Sequence, residues 1–274
     1  LGHRRLSIID TSSISNQPFT DISGRYTIVY NGEIFNYKLL KNKLQSKGYQ
    51  FSTDSDTEVL LYMFIHYGER CCEFLNGFFA FSIYDRKTNT SFLARDRFGI
   101  KPLLYYKDEH QFIWSSTLSS LLAFKIPKEL DHSSLYMYLQ LNYLPQPHSF
   151  IKAVRQLDTG HYAIVEANGK IQIKAYYAIN SINLVEKSTI SYDQAKTELI
   201  DLLGESVEQR MIADVPLGTF LSGGIDSSII TALAAKNSSG SINTFSIGFK
   251  DDPLFDETKY AELVAKKYQT NHHT

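Results

Sequence analysis

The stretch that most constrains this chain is Leu217-Gly218-Thr219-Phe220-Leu221-Ser222-Gly223-Gly224-Ile225-Asp226-Ser227-Ser228-Ile229-Ile230. Its first five residues read as a short buried strand, Ser222-Gly223-Gly224 as a turn, and the apolar period beyond as a helix starting near Ser227. A glycine-rich loop is thereby set at a helix N-terminus. Unpaired backbone N–H groups and the helix dipole favour an anion there, most simply a phosphate. Glycine lets the backbone approach such a ligand closely and take positive φ. An ordinary strand-to-helix turn has the same outline, so the outline alone leaves both readings open. A Walker-type loop does not fit, because Asp226 and two serines stand where its Lys-Ser/Thr pair would be.

The surroundings of this loop alternate between element types. Tyr192 to Met211 is expected as a long amphipathic helix, with Ala195, Leu199, Leu202, Val207 and Met211 on one stripe. After the loop and its helix come a strand at Asn243 to Phe249 and a helix at Glu257 to Tyr268. That order argues for a parallel, doubly wound α/β sheet with the loop at the carboxyl end of its first strand, where such sheets bind ligands.

The first half reads differently. Leu1 to Asp10 alternates into a β-rich run, and Arg25 to Tyr30 is a strand ending in the tight-turn dipeptide Asn31-Gly32. Asn36 caps a helix over Tyr37 to Lys47, and Asp54 to Glu58 opens a second with Val59, Leu60, Met63, Phe64 and Tyr67 on one face. Gly77 to Asp85 is a nearly continuous apolar strand, buried on both faces. Further strands follow at Ser91 to Arg95, Leu103 to Tyr106 and Phe112 to Trp114, then helices near Thr117 to Phe124 and Ser133 to Leu141. His161 to Glu166 and Ile171 to Tyr177 form a hairpin across Asn168-Gly169. Two sheets with helices in layers make an α+β sandwich. The expected division is a first domain over 1–180, a linker over 181–191 and a second domain over 192–274.

Composition removes several function classes. A net charge of -1 gives no electrostatic reason to expect nucleic acid or a membrane surface as a partner. No apolar run reaches membrane-span length, and no basic-then-apolar signal segment opens the chain. The adjacent Cys71 and Cys72 make no disulfide framework, which favours a reducing cytoplasm. The start at Leu1 and the stop at Thr274 lead us to expect a fragment at both ends.

Four strings in the first half are individually weak and jointly specific. They are Gly2-His3-Arg4-Arg5-Leu6-Ser7-Ile8-Ile9-Asp10, Tyr30-Asn31-Gly32-Glu33-Ile34-Phe35-Asn36, Ser55-Asp56-Thr57-Glu58 and Ala94-Arg95-Asp96-Arg97-Phe98-Gly99-Ile100-Lys101-Pro102. Together they resemble the glutaminase domain of the glutamine-hydrolysing asparagine synthetases, an N-terminal-nucleophile amidotransferase. The string Ser-Gly-Gly-Ile-Asp-Ser-Ser resembles the pyrophosphate loop of ATP pyrophosphatases. With Arg210 to Gly218 upstream and Phe255-Asp256-Glu257 and Tyr260-Ala261 downstream, it is similar to the synthetase domain of the same family, in the same order. The resemblance covers essentially the whole chain. It implies an αββα N-terminal-nucleophile sandwich followed by the start of an α/β parallel doubly wound ATP-pyrophosphatase domain.

What the resemblance implies can be read residue by residue. Arg5 would grip the α-carboxylate of glutamine, a bidentate fit for guanidinium. Asp56 would receive the α-ammonium, a role compatible with a helix N-cap. The Asn31 side chain and the Gly32 N–H would form the oxyanion hole, and Glu33 would help shape the pocket. Arg95 and Asp96 would pair and support the fold. The nucleophile would be a cysteine with a free α-amine upstream of Leu1. Cys71 and Cys72 are internal and read as buried small hydrophobes. The chain by itself is therefore expected neither to hydrolyse glutamine nor to make product.

In the second domain, Ser222, Gly223, Gly224, Asp226, Ser227 and Ser228 would hold the pyrophosphate of ATP. Asp226 would lie close to Mg²⁺, and Leu221 and Ile247 would bracket the adenosine. The terminal His272-His273 has no further ligands nearby to make it a metal site. The implied reaction converts the side-chain carboxylate of aspartate to β-aspartyl-AMP with release of pyrophosphate. Ammonia from glutamine then displaces AMP to give asparagine. Partners would be glutamine, aspartate and ATP, with a homodimer as a possible assembly. Two departures stand out: Ser116-Thr117-Leu118-Ser119 replaces the usual Ser-Glu-x-Lys, and Thr159-Gly160-His161 the usual Pro-Gly-His. Alternatives are a paralogue amidating another carboxylate, such as a cell-surface sugar or a peptide, and a non-catalytic nucleotide-binding scaffold. β-Lactam synthetase relatives fit less well, because Arg5, Asn31-Gly32 and Asp56 are intact.

Overall fold

A computed structural model describes residues 1–179, 188–249, 251–252 and 254–274. The chain divides into two compact units, 1–182 and 183–274. Most of the expected linker, residues 181–187, and the expected domain boundary at 180 lie outside the described residues.

The N-terminal unit is built on a six-stranded antiparallel sheet in the order β1-β2-β3-β4-β8-β9. Its strands are β1 (Phe19–Thr20), β2 (Tyr26–Ile34), β3 (Gly77–Asp85), β4 (Thr90–Arg95), β8 (His161–Val165) and β9 (Ile171–Ala175). A second antiparallel sheet has the order β6-β5-β7, from β5 (Leu104–Lys107), β6 (Phe112–Ser115) and β7 (Val154–Gln156). Strand alternation explains how the two sheets meet. Ala80, Leu93 and Ala163 of the first pack against Leu103, Leu157, Tyr105, Phe112 and Trp114 from the second sheet and its flanks. The intervening residues of the first sheet face α1 (Tyr37–Gln45) and α2 (Asp56–Tyr67), as in the Phe64–Phe92 ring contact at 4.9 Å. The short α3 (Cys71–Phe74) follows, with both cysteines buried. On the far side of the second sheet, Leu121 of α4 (Leu118–Leu122) packs on Tyr106 and Val154. The helix α5 (His132–Leu141) comes next in the chain. The layers run helix, sheet, sheet, helix, the αββα sandwich that the resemblance implies.

The C-terminal unit holds a parallel three-stranded sheet. Its elements in chain order are α6 (Tyr192–Arg210), β10 (Gly218–Phe220), α7 (Ile225–Asn237), β11 (Asn243–Phe245), α8 (Thr258–Tyr268) and β12 (Asn271–His273). The expected parallel α/β order is present. No helix among the described residues is long and apolar enough to cross a membrane.

Several local expectations are corrected. Residues 1–10 form no strand, because Arg5 folds the segment back on itself by hydrogen bonds to the carbonyls of Ile9 and Asp10. Asn31-Gly32 is not a turn: β2 runs through it to Ile34, paired residue by residue with β3. Asn36 does not cap α1 with its side chain, which instead bonds Phe74 O and Asn76 N across the neighbouring loop. The expected stripe on α6 is only partly covered: Val207 is buried, while Leu199 is 57% and Leu202 64% exposed. The strand at Asn243 stops at Phe245 rather than Phe249. The strands β1, β7 and β12 are too short to leave a periodic signal.

Candidate functional site

A cleft of about 580 Å³ opens in the N-terminal unit, and Arg5, Asn31, Gly32, Glu33 and Asp56 all line it. Three of them are consecutive on β2, where Asn31, Gly32 and Glu33 face Ala80, Phe79 and Phe78 of β3 in register. Gly32 is there because nothing larger fits. A Cβ would lie 2.1 Å from the Phe78 carbonyl oxygen and 2.8 Å from Phe79 Cα, at a φ of +154°. Close approach of two strands, not a hairpin turn, is what this position demands.

Asp56 reaches the cleft from the first turn of α2 and is almost fully buried. Ser55, not Asp56, is the N-cap: its hydroxyl accepts from the Thr57 N–H. Glu58, three residues beyond the cap, accepts from the N–H groups of Ser52 and Thr53 and so fixes the loop entering the helix. The Asp56 carboxylate is thereby free to face β2, where Oδ2 accepts from the Tyr30 hydroxyl at 2.9 Å and the Ile34 N–H at 3.1 Å. Burial pushes its carboxyl up, and those two hydrogen bonds, the Thr57 N–H and the Arg5 charge oppose the rise. Burial and Asp56 likewise push Glu33 up, opposed by Lys101.

Arg5 donates to Ile9 O at 2.7 Å, Asp10 O at 2.6 Å and Ser12 O at 3.3 Å. The loop it closes is locked from the other side by Asp10. Burial pushes that carboxyl up, but hydrogen bonds from Ser12, Ser15 and the Asp54 N–H outweigh it and hold it at about 2. The cleft thus presents a guanidinium and a carboxylate at one place, and an amide, a glycine and a second carboxylate on the adjoining strand. Such a set is complementary to a small zwitterion carrying a polar side chain.

Lys101, Tyr30, Thr57 and Gln17 also line the cleft and carried no assigned role in the sequence. Lys101 lies in a string singled out above, and its cationic type was the one available signal. Gln17 ties the wall together by accepting from the Tyr30 N–H at 2.6 Å. Arg95 and Asp96 do not pair with each other. Arg95 donates to the carbonyls of Gly99, Lys101 and Leu157, and Asp96 accepts from the N–H groups of Phe79, Phe98, Ile100 and Lys101. Each shapes the loop below the cleft through backbone contacts.

The glycine loop of the C-terminal unit joins β10 to α7. Gly224 is the N-cap, and Asp226 lies in the first helical turn. Gly223 has φ +83°, and a Cβ there would meet Tyr260 Cβ at 2.5 Å and Ala261 N at 2.7 Å, so α8 presses directly on the loop. Ser222 and Ser227 hydroxyls lie 3.1 Å apart, and Ser228 donates to Gly224 O at 2.7 Å. A hollow of about 230 Å³ at the carboxyl ends of β10 and β11 is lined by Leu221, Ser222, Ile247, Phe249 and Phe255, among others. Leu221 is 1% exposed and packs on Ala261 and Ala265, while its N–H donates to the Phe245 carbonyl and its carbonyl accepts from the Ser246 hydroxyl. Ile247 is 73% exposed and its side chain can face a ligand. Among the described residues, no group of three or more His, Cys, Asp or Glu side chains could hold a metal ion. His272 Nδ1 is 2.9 Å from the Thr244 hydroxyl, and the His273 ring stacks on Phe245.

The comparisons with known proteins fall on the same two units. A family model described as a glutamine amidotransferase domain matches residues 1–177, and one described as asparagine synthase matches residues 198–274. The chain is 38% identical to asparagine synthetase [glutamine-hydrolyzing] 1 of Bacillus subtilis, over 96% of this chain and 41% of that protein. It is 34% identical to asparagine synthetase [glutamine-hydrolyzing] 3 of the same organism, over 99% of this chain and 46% of that protein. The chain therefore spans less than half the length of these relatives. Among solved structures, a glutamine phosphoribosylpyrophosphate amidotransferase from B. subtilis aligns at a TM-score of 0.45 and 19% identity, over 85% of this chain and 49% of that one. That likeness is too loose to add to the sheet topology.

Proposed function

The chain belongs to the glutamine-hydrolysing asparagine synthetase family, and on that premise we propose that its protein uses glutamine and ATP to convert aspartate to asparagine. The observation that carries this reading is the convergence of Arg5, Asn31, Gly32, Glu33 and Asp56 on one cleft, from a loop, a strand and a helix. The substrate α-carboxylate takes the guanidinium of Arg5 and the α-ammonium takes Asp56. The scissile carbonyl then lies against β2, where the Asn31 amide and the Gly32 N–H stabilise the oxyanion as charge develops. The glycine loop supplies backbone N–H groups, the Ser222, Ser227 and Ser228 hydroxyls and the N-terminus of α7 to the phosphates of ATP. Asp226 suits Mg²⁺, which takes one or two carboxylates and completes its shell with waters and phosphate oxygens. When bound, the ion neutralises charge on the departing pyrophosphate. The free, buried Cys71 and Cys72 suit a reducing cytoplasm.

The test is product analysis. Incubate the full-length protein that carries this chain with glutamine, aspartate, ATP and Mg²⁺, and read the mixture by mass spectrometry. Asparagine, AMP and glutamate together are the expected result. Glutamate without asparagine or AMP would move the acceptor to another carboxylate, and neither product would leave a nucleotide-binding scaffold.

A further inference from the structure

The cleft holds one buried carboxylate, Asp56, and one half-buried one, Glu33, and each has a cation acting on it. Arg5 acts on Asp56 and Lys101 acts on Glu33. The Lys101 ammonium lies 4.9 Å from the centroid of the Phe78 ring. Phe78 is the residue directly opposite Glu33 in the β2–β3 ladder. The backbone of Lys101 is fixed to the same ladder: Asp96 Oδ2 accepts from the Phe79 N–H at 3.2 Å and the Lys101 N–H at 2.9 Å. Arg95 Nε donates to the Lys101 carbonyl at 2.8 Å and closes the platform from below. The buried Arg95 and Asp96 thus deliver one lysine to one place.

The two ion sets have different needs. A bound α-amino acid brings a carboxylate to Arg5 and an ammonium to Asp56, so those groups are compensated by the ligand. A side-chain amide is neutral and brings no cation to Glu33. A buried carboxylate without a counter-charge takes up a proton, and then it donates rather than accepts. We infer that Lys101 is a positioning residue of the glutamine site, the resident counter-ion that keeps Glu33 an acceptor for the substrate's side-chain N–H and so makes the cleft select an amide over a carboxylate. This rests on the reading of the cleft as a glutamine site. A glutamate side chain would meet the Glu33 carboxylate with like charge, which disfavours retention of the hydrolysis product. The charged and titratable groups that share this space are Tyr30 on β2, Asp56 on α2, Lys101 on its loop, and His3, Arg4 and Arg5 on the N-terminal segment.

The experiment is calorimetric titration of glutamine and of glutamate onto the chain and its R5A, E33Q, K101M, K101R and E33Q/K101M variants, between about pH 5 and pH 8. K101M is expected to weaken glutamine about tenfold at neutral pH and to narrow the glutamine-to-glutamate preference about tenfold, the loss of a hydrogen bond to a charged group. It also moves the acid limb of glutamine binding toward neutrality, while K101R restores all three. In the E33Q background K101M adds nothing, because its effect passes through Glu33. Loss of glutamine binding in R5A together with an unchanged preference and acid limb in K101M would overturn the inference alone. No glutamine binding by the parent chain, or full binding by R5A, would overturn the site reading and the inference with it.

Discussion

The two units build their candidate sites by opposite means. In the N-terminal unit the site is made of side chains. Asp56 and Glu33 are drawn from different elements into a wall whose hydrogen bonds are already satisfied by Tyr30, Ile34 and the Arg95–Asp96 platform. In the C-terminal unit the site is made of backbone. Gly223 and Gly224 bring backbone to a helix end, where the Gly224 N–H donates to Ser222 Oγ at 3.4 Å, and the side chains around them, Ile225 and Phe220, are largely open. A side-chain site needs a rigid fold to exist at all, whereas a backbone site needs only a strand, a turn and a helix start. The first should therefore be far less tolerant of change than the second.

Replacing the two close-packed glycines is the strongest way to break that comparison. G32A puts a methyl group into the β3 backbone and is expected to cost more than about 3 kcal/mol, unfolding the N-terminal unit in thermal denaturation. G223A meets α8 with similar closeness, but the surrounding core is small, so the loop and α8 should shift and nucleotide affinity fall while the N-terminal unit melts as before. Equal global melting losses for both would refute the contrast. D56N comes next. It is expected to weaken glutamine about 100-fold, the loss of a buried charge partner, with no change in nucleotide binding by titration.

Acidification separates groups within the N-terminal unit. Asp56 and Glu33 are raised by burial, so the folded chain binds protons that the unfolded chain does not. Their contribution to stability therefore grows as pH falls from their raised values to the ordinary carboxylate range. Asp10, held at about 2, does the reverse: its stabilisation is complete above the ordinary value of 3.8 and is lost as pH falls toward 2. Urea titrations across that range should show a maximum near the ordinary carboxylate value, and D56N should flatten its neutral side. The smallest effect concerns the caps. S55A removes a fully buried cap of α2 and should cost about 1 kcal/mol, while S191A on the exposed end of α6 should cost about 0.5 kcal/mol, in the same titrations.

Much of this architecture was readable from periodicity. The strand at Gly77 to Asp85 shows as an unbroken apolar run, the helix after Ser55 as an apolar face at helical spacing, and the parallel order of the C-terminal unit as alternating strand and helix signals. The errors cluster where a side chain competes with the backbone. Arg5 turns an alternating run into a loop, and Asn36 bridges loops rather than capping. Asn31-Gly32 looked like a turn because its dipeptide is shared by hairpins and by strands squeezed against a neighbour, and local sequence cannot tell which.

The sequence by itself determined most element types, the loop at the start of α7 and, through short strings, the candidates for each site, because these follow from composition over a few neighbouring positions. Only the tertiary structure decided that Ser55 caps α2 so that Asp56 can face Tyr30, that Gly32 yields to β3, and that Lys101 stands over Phe78, the residue opposite Glu33. The contacts of Tyr30 with Asp56, Gly32 with Phe78 and Lys101 with Phe78 join residues 26, 46 and 23 positions apart, and they depend on which strands pair in which register. Pairing register is a long-range outcome of burying one sheet face, so no local window of the chain contains it.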